Sequence, residues 1–319
     1  NPIKSGRNIA NQVRNGAREV TNRAKEAVSN TKEAVGNTVD KARSTIGHAV
    51  DAFETKATRG AQALGQVVGL GHQPDRAFDG HYVGARGQTF PPGTPLSQVP
   101  GVKPLNNPNP TRTLLYVNGI NTTKDAQFSS LQNIADRTGA QVIGVHNATE
   151  GMGADLAQCV KDKLDKGRNP AVDTLADTIY TELKAGRTVD LMAHSQGGLV
   201  TSRALSDVQR RLRIEDGMSK ADAQALMSKV NVETFGAAAA HYPDGPNYVH
   251  YINRADPVPT LFGLGIIPDK WNPLVDGGKG SVVHHFNELH RNPIDGHSFD
   301  GTYLNRRVPF EDARAGRFE

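Results

Sequence analysis

Cysteine is all but missing. Cys159 stands alone among 319 residues, so an intramolecular disulfide framework and a thiolate zinc site are both excluded. Tryptophan is equally scarce, with Trp271 alone, and aromatic residues make up 6% of the chain. With so few large apolar groups, part of the chain is expected to stay solvated rather than join a core. No stretch approaches the roughly 18 consecutive apolar residues that an ordinary transmembrane helix needs. No H-E-x-x-H or other metal-ligand spacing is present, and Gly84-Ala-Arg-Gly87 lacks the strand-to-helix context of a phosphate loop, so neither a metal nor a cofactor is expected. The chain opens on Asn1, so the lack of a signal peptide says nothing of compartment. Charge of one sign is scarce as well. The formal net charge of +4 arises in residues 1–71, which hold 11 Lys/Arg against 6 Asp/Glu, while the remainder holds 26 against 27. The basic residues of that arm alternate with acids and have no aromatic stacking partners, which argues against nucleic acid as a partner.

Proline is absent from Ile3 to Gly71, and residues 8–66 are expected to be helical. Their apolar positions follow an eleven-residue period: Val13, Ala17 and Val20, Ala24 and Val28, Val35 and Val39, Ile46, Val50 and Phe53, then Ala57, Ala61 and Leu64. Steps of 4, 3 and 4 predict a narrow stripe of small residues with slight right-handed coiling. Such a helix buries little alone, so residues 1–71 form an amphipathic arm that either binds a partner or lipid surface, or stays solvated. Residues 72–112 differ. Pro91, Pro92, Pro95, Pro100, Pro104, Pro108 and Pro110 predict a linker or wrapping segment.

From Thr113 onward strands and helices alternate. Strands are expected over 113–120, 141–146, 188–193, 230–235, 248–252 and 281–286, and helices over 125–138, 153–166, 170–185, 197–211 and 219–229. The implied fold class is α/β, a mostly parallel sheet with helices on both faces over residues 113–319, preceded by the helical arm.

Within that pattern the strand ending at Ala193 runs through His194-Ser195-Gln196-Gly197-Gly198 directly into a helix. This matches the nucleophile elbow G-x-S-x-G with Ala193 in the first glycine position. A serine at a sharp strand-to-helix turn projects its hydroxyl above the sheet, and the close approach of strand and helix demands small residues on either side. The competing account is a serine that merely caps the helix.

On the Ala193-His194-Ser195-Gln196-Gly197 elbow the chain resembles the α/β-hydrolase superfamily, and more narrowly bacterial lipases, over about residues 113–305. It is also similar to lipase effectors delivered by bacterial secretion systems, in the elbow, in Asn253-Arg-Ala-Asp-Pro-Val-Pro259 and in the helical arm. The resemblance implies a Ser-Asp-His triad in that chain order. Asp256, after the strand over 248–252, is the expected acid, ahead of Asp244, Asp269 and Asp276; an Asp-Pro turn is the plainer alternative. His297 is the expected base and His290 the alternative. His284 and His285 are expected to pack or face solvent, and Asp295 lies too near His297 to orient its ring. The expected oxyanion donors are the Gln196 N–H and the Ile120 N–H, the latter from Asn118-Gly119-Ile120-Asn121, where lipases often carry His-Gly; a plain turn is the alternative there.

These features point to a serine hydrolase of lipid carboxyl esters, a lipase or phospholipase, secreted or delivered to another cell. Its expected partners are a lipid or phospholipid substrate, a membrane surface, and a secretion adaptor or an inhibitory immunity protein. The alternative is an interaction module whose arm binds a partner while the hydrolase domain is a degenerate scaffold.

Overall fold

The computed structural model describes residues 22–23, 75–148, 169–265 and 275–319. Of the helix expected over 8–66, only Asn22 and Arg23 are among them, and both are helical. The helix expected over 153–166 lies outside the described residues, as do Cys159, Asp269 and Trp271.

Among the described residues eight strands form one sheet: β1 (Tyr82–Val83), β2 (Thr89–Phe90), β3 (Thr113–Val117), β4 (Gln141–Val145), β5 (Val189–His194), β6 (Val230–Phe235), β7 (Asn247–Asn253) and β8 (Val282–Phe286). Their order is β2-β1-β4-β3-β5-β6-β7-β8. From β4 to β8 every neighbouring pair is parallel, whereas β1 runs antiparallel to both β2 and β4. This is the α/β-hydrolase architecture. The principal helices are α1 (Lys124–Thr138), α2 (Pro170–Lys184), α3 (Gln196–Ile214) and α4 (Lys220–Met227). None of the described helices is long and apolar enough to cross a membrane.

Why these residues adopt these elements follows from burial on both faces. Along β3, Leu114 and Tyr116 point to one side and Leu115 and Val117 to the other. One layer packs α2 and α3, through Leu175, Ile179, Leu183, Leu205 and Val208, against Leu115, Val117, Ile143 and Val145. The other packs α1, through Leu131 and Ile134, together with Phe299 and Tyr303, against Leu114, Tyr116, Val142 and Tyr251. With both faces covered, β3 and β4 run largely apolar. Helix ends are set locally. Thr123, Asn169 and Ser219 each accept a hydrogen bond from the first turn of α1, α2 and α4, Pro170 occupies the first turn of α2, and Gly139 closes α1 at φ 71°.

The first core strand ends at Val117 rather than Ile120, so Asn118, Gly119 and Ile120 leave the sheet at its C-terminal edge. The proline-rich stretch contains β1 and β2, which the sequence pattern does not announce. Its backbone joins the sheet margin through Gly80 N–H to the His146 carbonyl at 2.8 Å and reciprocal Val102–Val142 bonds at 2.8 and 2.9 Å. An edge position tolerates proline because only some of its amides need partners.

Candidate active site

Ser195 follows β5 and immediately precedes α3, with φ 55° and ψ −125°. A non-glycine residue held there is strained by about 1–3 kcal/mol, so the surroundings must enforce it. They do so through Ser195 N–H to the Phe235 carbonyl at 3.1 Å, and through Gly198 N–H and Ala238 N–H to the Ser195 carbonyl at 3.0 and 2.9 Å. The small neighbours are required by contact. A Cβ on Gly197 would stand 2.4 Å from the Val117 carbonyl oxygen, and one on Gly198 would stand 2.4 Å from Ala237 Cβ. The Ser195 side chain makes no capping bond to α3, so the cap account does not describe it.

Its hydroxyl instead lies 2.8 Å from His297 Nε2, and His297 Nδ1 lies 2.6 Å from Asp256 Oδ2. A carboxylate only accepts, so Nδ1 carries the proton and Nε2 is left to accept from Ser195 Oγ–H. Asp256 is fully buried. Its Oδ1 accepts from Val258 N–H at 2.9 Å and caps the short helix Pro257–Phe262, while Tyr303 O–H donates to Oδ2 at 2.6 Å. The turn role and the triad geometry thus coexist on one residue, one oxygen for each.

His194 lies half-buried beside His297, with ring centroids 4.7 Å apart, and its Nε2–H donates to the His297 carbonyl at 2.8 Å. Burial, reinforced by His297, pushes the His194 imidazole well below its ordinary range, so it is neutral.

The loop after β3 crosses close to the serine: a Cβ on Gly119 would come within 2.9 Å of Ser195 Cβ. Ile120 lies in this loop, half-buried, and Asn121 follows at φ 51°. Gln196 takes the first position of α3, where a helix leaves its amide without an intrahelical acceptor. Two asparagines tie the loop after β3 to Gln196. Asn118 Nδ2 donates to the Gly119 and Asn147 carbonyls, both at 2.8 Å, its Oδ1 accepts from Asn147 N–H at 2.9 Å, and Asn147 Nδ2 reaches Gln196 Oε1 at 2.9 Å.

Of the remaining residues singled out from sequence, His290 turns to Glu288 Oε1 at 3.1 Å and Thr302 Oγ1 at 3.2 Å, away from Ser195. His284 stacks on Phe318 at 3.9 Å, and His285 is exposed. Asp244 accepts from Lys279 N–H and Asp276 from Gly278 N–H, each at 2.9 Å. Asp295 sits with His297 in the short helix Pro293–His297. Sequence reasoning assigned no role to Tyr303 or Asn147, and quoted Asn253 only as the first residue of the stretch Asn253–Pro259. Asn253 Oδ1 accepts from Ala255 and Glu288 N–H, and its Nδ2 donates to the Glu288 and Gly296 carbonyls, so it joins the acid loop to the histidine loop. The one available signal was Asn253 at the end of an apolar strand, where a buried amide has backbone groups to satisfy.

A cavity of about 580 Å³, lined in part by Leu96, Gln141 and Asp190, opens at the N-terminal ends of β3, β4 and β5, the far end of the sheet from Ser195. Its arginines are paired, Arg112 with Asp190 at 2.9 Å and Arg187 with Glu182 at 2.5 Å. Among the described residues no cluster of His, Cys, Asp or Glu could hold a metal ion.

No family model matches the sequence, and no curated protein matches it. Among solved structures the chain is similar to an esterase of Pyrobaculum calidifontis, at 10% identity and a TM-score of 0.38, over 69% of this chain and 78% of that one. It is also similar to the RedJ thioesterase of the prodiginine biosynthetic pathway in Streptomyces coelicolor, at 15% identity and a TM-score of 0.35, over 65% of this chain and 85% of that one.

Proposed function

We propose that the chain is a serine hydrolase of carboxyl esters, acting on lipids as a lipase or phospholipase A. One observation carries the reading: a strained serine, an imidazole and a buried carboxylate stand in a single hydrogen-bonded row of 2.8 and 2.6 Å. Ser195 Oγ attacks the ester carbonyl while His297 Nε2 takes its proton. Asp256 holds the ring in the required tautomer and stabilises the imidazolium. The tetrahedral oxyanion is met by the Gln196 and Ile120 amides, each such donor contributing about 3 kcal/mol to barrier lowering. His297 then protonates the departing alcohol, and water repeats the sequence on the acyl-enzyme. The lipid assignment rests on the resemblance of the elbow and on the amphipathic sequence of residues 1–71. The same resemblance supports a secreted or cell-delivered effector, whose arm engages a membrane, a secretion adaptor or an inhibitory protein.

Hydrolysis of a p-nitrophenyl acyl ester by the full chain, beside Ser195→Ala, tests the chemistry. Loss of about 10⁴-fold or more in kcat is expected for the variant. Equal rates would favour the interaction module instead. Mass spectrometry after incubation with mixed bacterial lipids tests the substrate class: free fatty acid with lysophospholipid establishes phospholipase A action, and intact lipids remove the lipid assignment.

A further inference from the structure

Asp256 Oδ2 has two donors. Tyr303 O–H and His297 Nδ1–H approach the same carboxylate oxygen, each at 2.6 Å, while the Val258 amide holds the other oxygen. The phenol is placed by three independent features. First, Tyr303 ends the π-helical turn Phe299–Tyr303 that follows His297, and this turn is fastened to α1 by Ser130 Oγ–H and Asn133 Nδ2–H to Asp300 at 2.7 and 3.1 Å. Second, Asn253 N–H donates to the Tyr303 hydroxyl at 3.2 Å, so the phenol's own proton is directed at Asp256. Third, Gly236, at φ 54°, leaves the space the ring needs; a Cβ there would lie 2.7 Å from the Tyr303 ring and 2.8 Å from Asp256 Oδ2. Burial, with Asp256 adding to it, pushes the Tyr303 phenol well above its ordinary value, so it remains a donor across the working range.

We propose that Tyr303 is a positioning residue of the triad, its hydroxyl holding Asp256 Oδ2 in line with His297 and limiting how strongly that carboxylate draws the imidazole proton. The inference rests on the serine-hydrolase reading above. A carboxylate with a second strong donor on the same oxygen carries less charge toward the ring. Taking the hydroxyl away leaves more of the Asp256 charge directed at the ring and stabilises the imidazolium. The other groups around His297 do not duplicate this effect. His194, at the end of β5, is neutral. In the loop after β8, Glu288 is paired with His290 at 3.1 Å and Arg306 at 2.8 Å. Asp300 faces α1, and Asp295 shares the short helix of His297 itself.

The test is the pH profile of kcat/KM for p-nitrophenyl ester hydrolysis by the full chain, with active sites counted by a fluorophosphonate titrant. Tyr303→Phe should move the acid limb upward by roughly one pH unit and lower the plateau by about tenfold. Replacement of Tyr303 by 3-fluorotyrosine, a stronger donor of nearly the same shape, should move the limb downward. A role in packing alone would lower the plateau or the titrated fraction and leave the limb in place, and that result for both replacements overturns the proposal. If Tyr303→Phe does not fold, the fluorinated protein decides the question alone. Ser195→Ala in the same series separates the two ideas: an active Ser195→Ala removes the serine mechanism, whereas an inactive Ser195→Ala beside a stationary limb removes only the role of Tyr303.

Discussion

Gly197 and Gly119 determine how near backbone can come to Ser195, and they do so from different directions. The Cβ of Gly197→Ala would meet backbone, 2.4 Å from the Val117 carbonyl oxygen and 2.8 Å from that of Asn118, so β3 or α3 has to move. Overpacking of that kind costs about 1–3 kcal/mol. Urea unfolding should show that loss, with kcat/KM falling alongside it. Gly119→Ala is a contrasting case, because its Cβ would press on the Ser195 side chain at 2.9 Å, in a loop, not a packed element. There kcat should drop about tenfold or more while the unfolding midpoint barely changes. Full activity in Gly119→Ala would show that the loop does not bear on the serine.

At the scale of elements, the site is an agreement among strand ends. Asn118 joins the ends of β3 and β4, since its side chain satisfies the Asn147 amide and carbonyl and the Gly119 carbonyl. Asn118→Ala strands those buried groups, at about 1–3 kcal/mol for each one left unsatisfied, and frees the loop that carries Ile120. A kcat lower by about 10²-fold with a smaller change in KM is the expected outcome of steady-state kinetics, because an oxyanion donor, the role proposed for the Ile120 amide, acts most in the transition state. An unchanged kcat would remove the loop from the mechanism. The elements themselves were largely visible in the chain. Buried parallel strands run largely apolar, so β3 and β4 declared themselves within 113–120 and 141–146, and Asn169-Pro170 marked the start of α2. β1 and β2 were not visible: two residues each leave no periodicity, and the prolines around them read as a linker or wrapping segment. The elbow was legible because its demands are local, small residues within three positions of Ser195. Tyr303 was not, because its partner Asp256 is 47 residues away and nothing in a lone tyrosine names the oxygen it will meet.

Across the whole molecule, the same sheet that collects Ser195, Asp256 and His297 beyond the C-terminal ends of β5, β7 and β8 also buries histidines that no step of the proposed chemistry uses. His250, within β7, is enclosed among Tyr242 and Tyr248, accepts from Thr234 Oγ–H at 2.7 Å and donates to the Gly277 carbonyl at 2.9 Å. Burial lowers its pKa to about 4. An unfolded histidine titrates near 6.5, so between those values the unfolded chain binds the extra proton and the folded chain does not. Stability therefore rises with pH through that window: the contribution of His250 is complete above about pH 6.5 and is lost as the pH falls toward 4. The pKa difference corresponds to about 3 kcal/mol in total, of which about 2 kcal/mol is gone at pH 5. His194 and His146, both lowered by burial, act in the same direction. Guanidinium unfolding at pH 7 and pH 5 should show a marked loss for the wild type. His250→Gln keeps a donor for Gly277 and has no proton to gain, so it should be less stable at pH 7 yet lose about 2 kcal/mol less on acidification. A variant with the same pH dependence as the wild type would place the acid sensitivity elsewhere, in the carboxylates or in the histidines beside Ser195, and would leave β7 without a part in it.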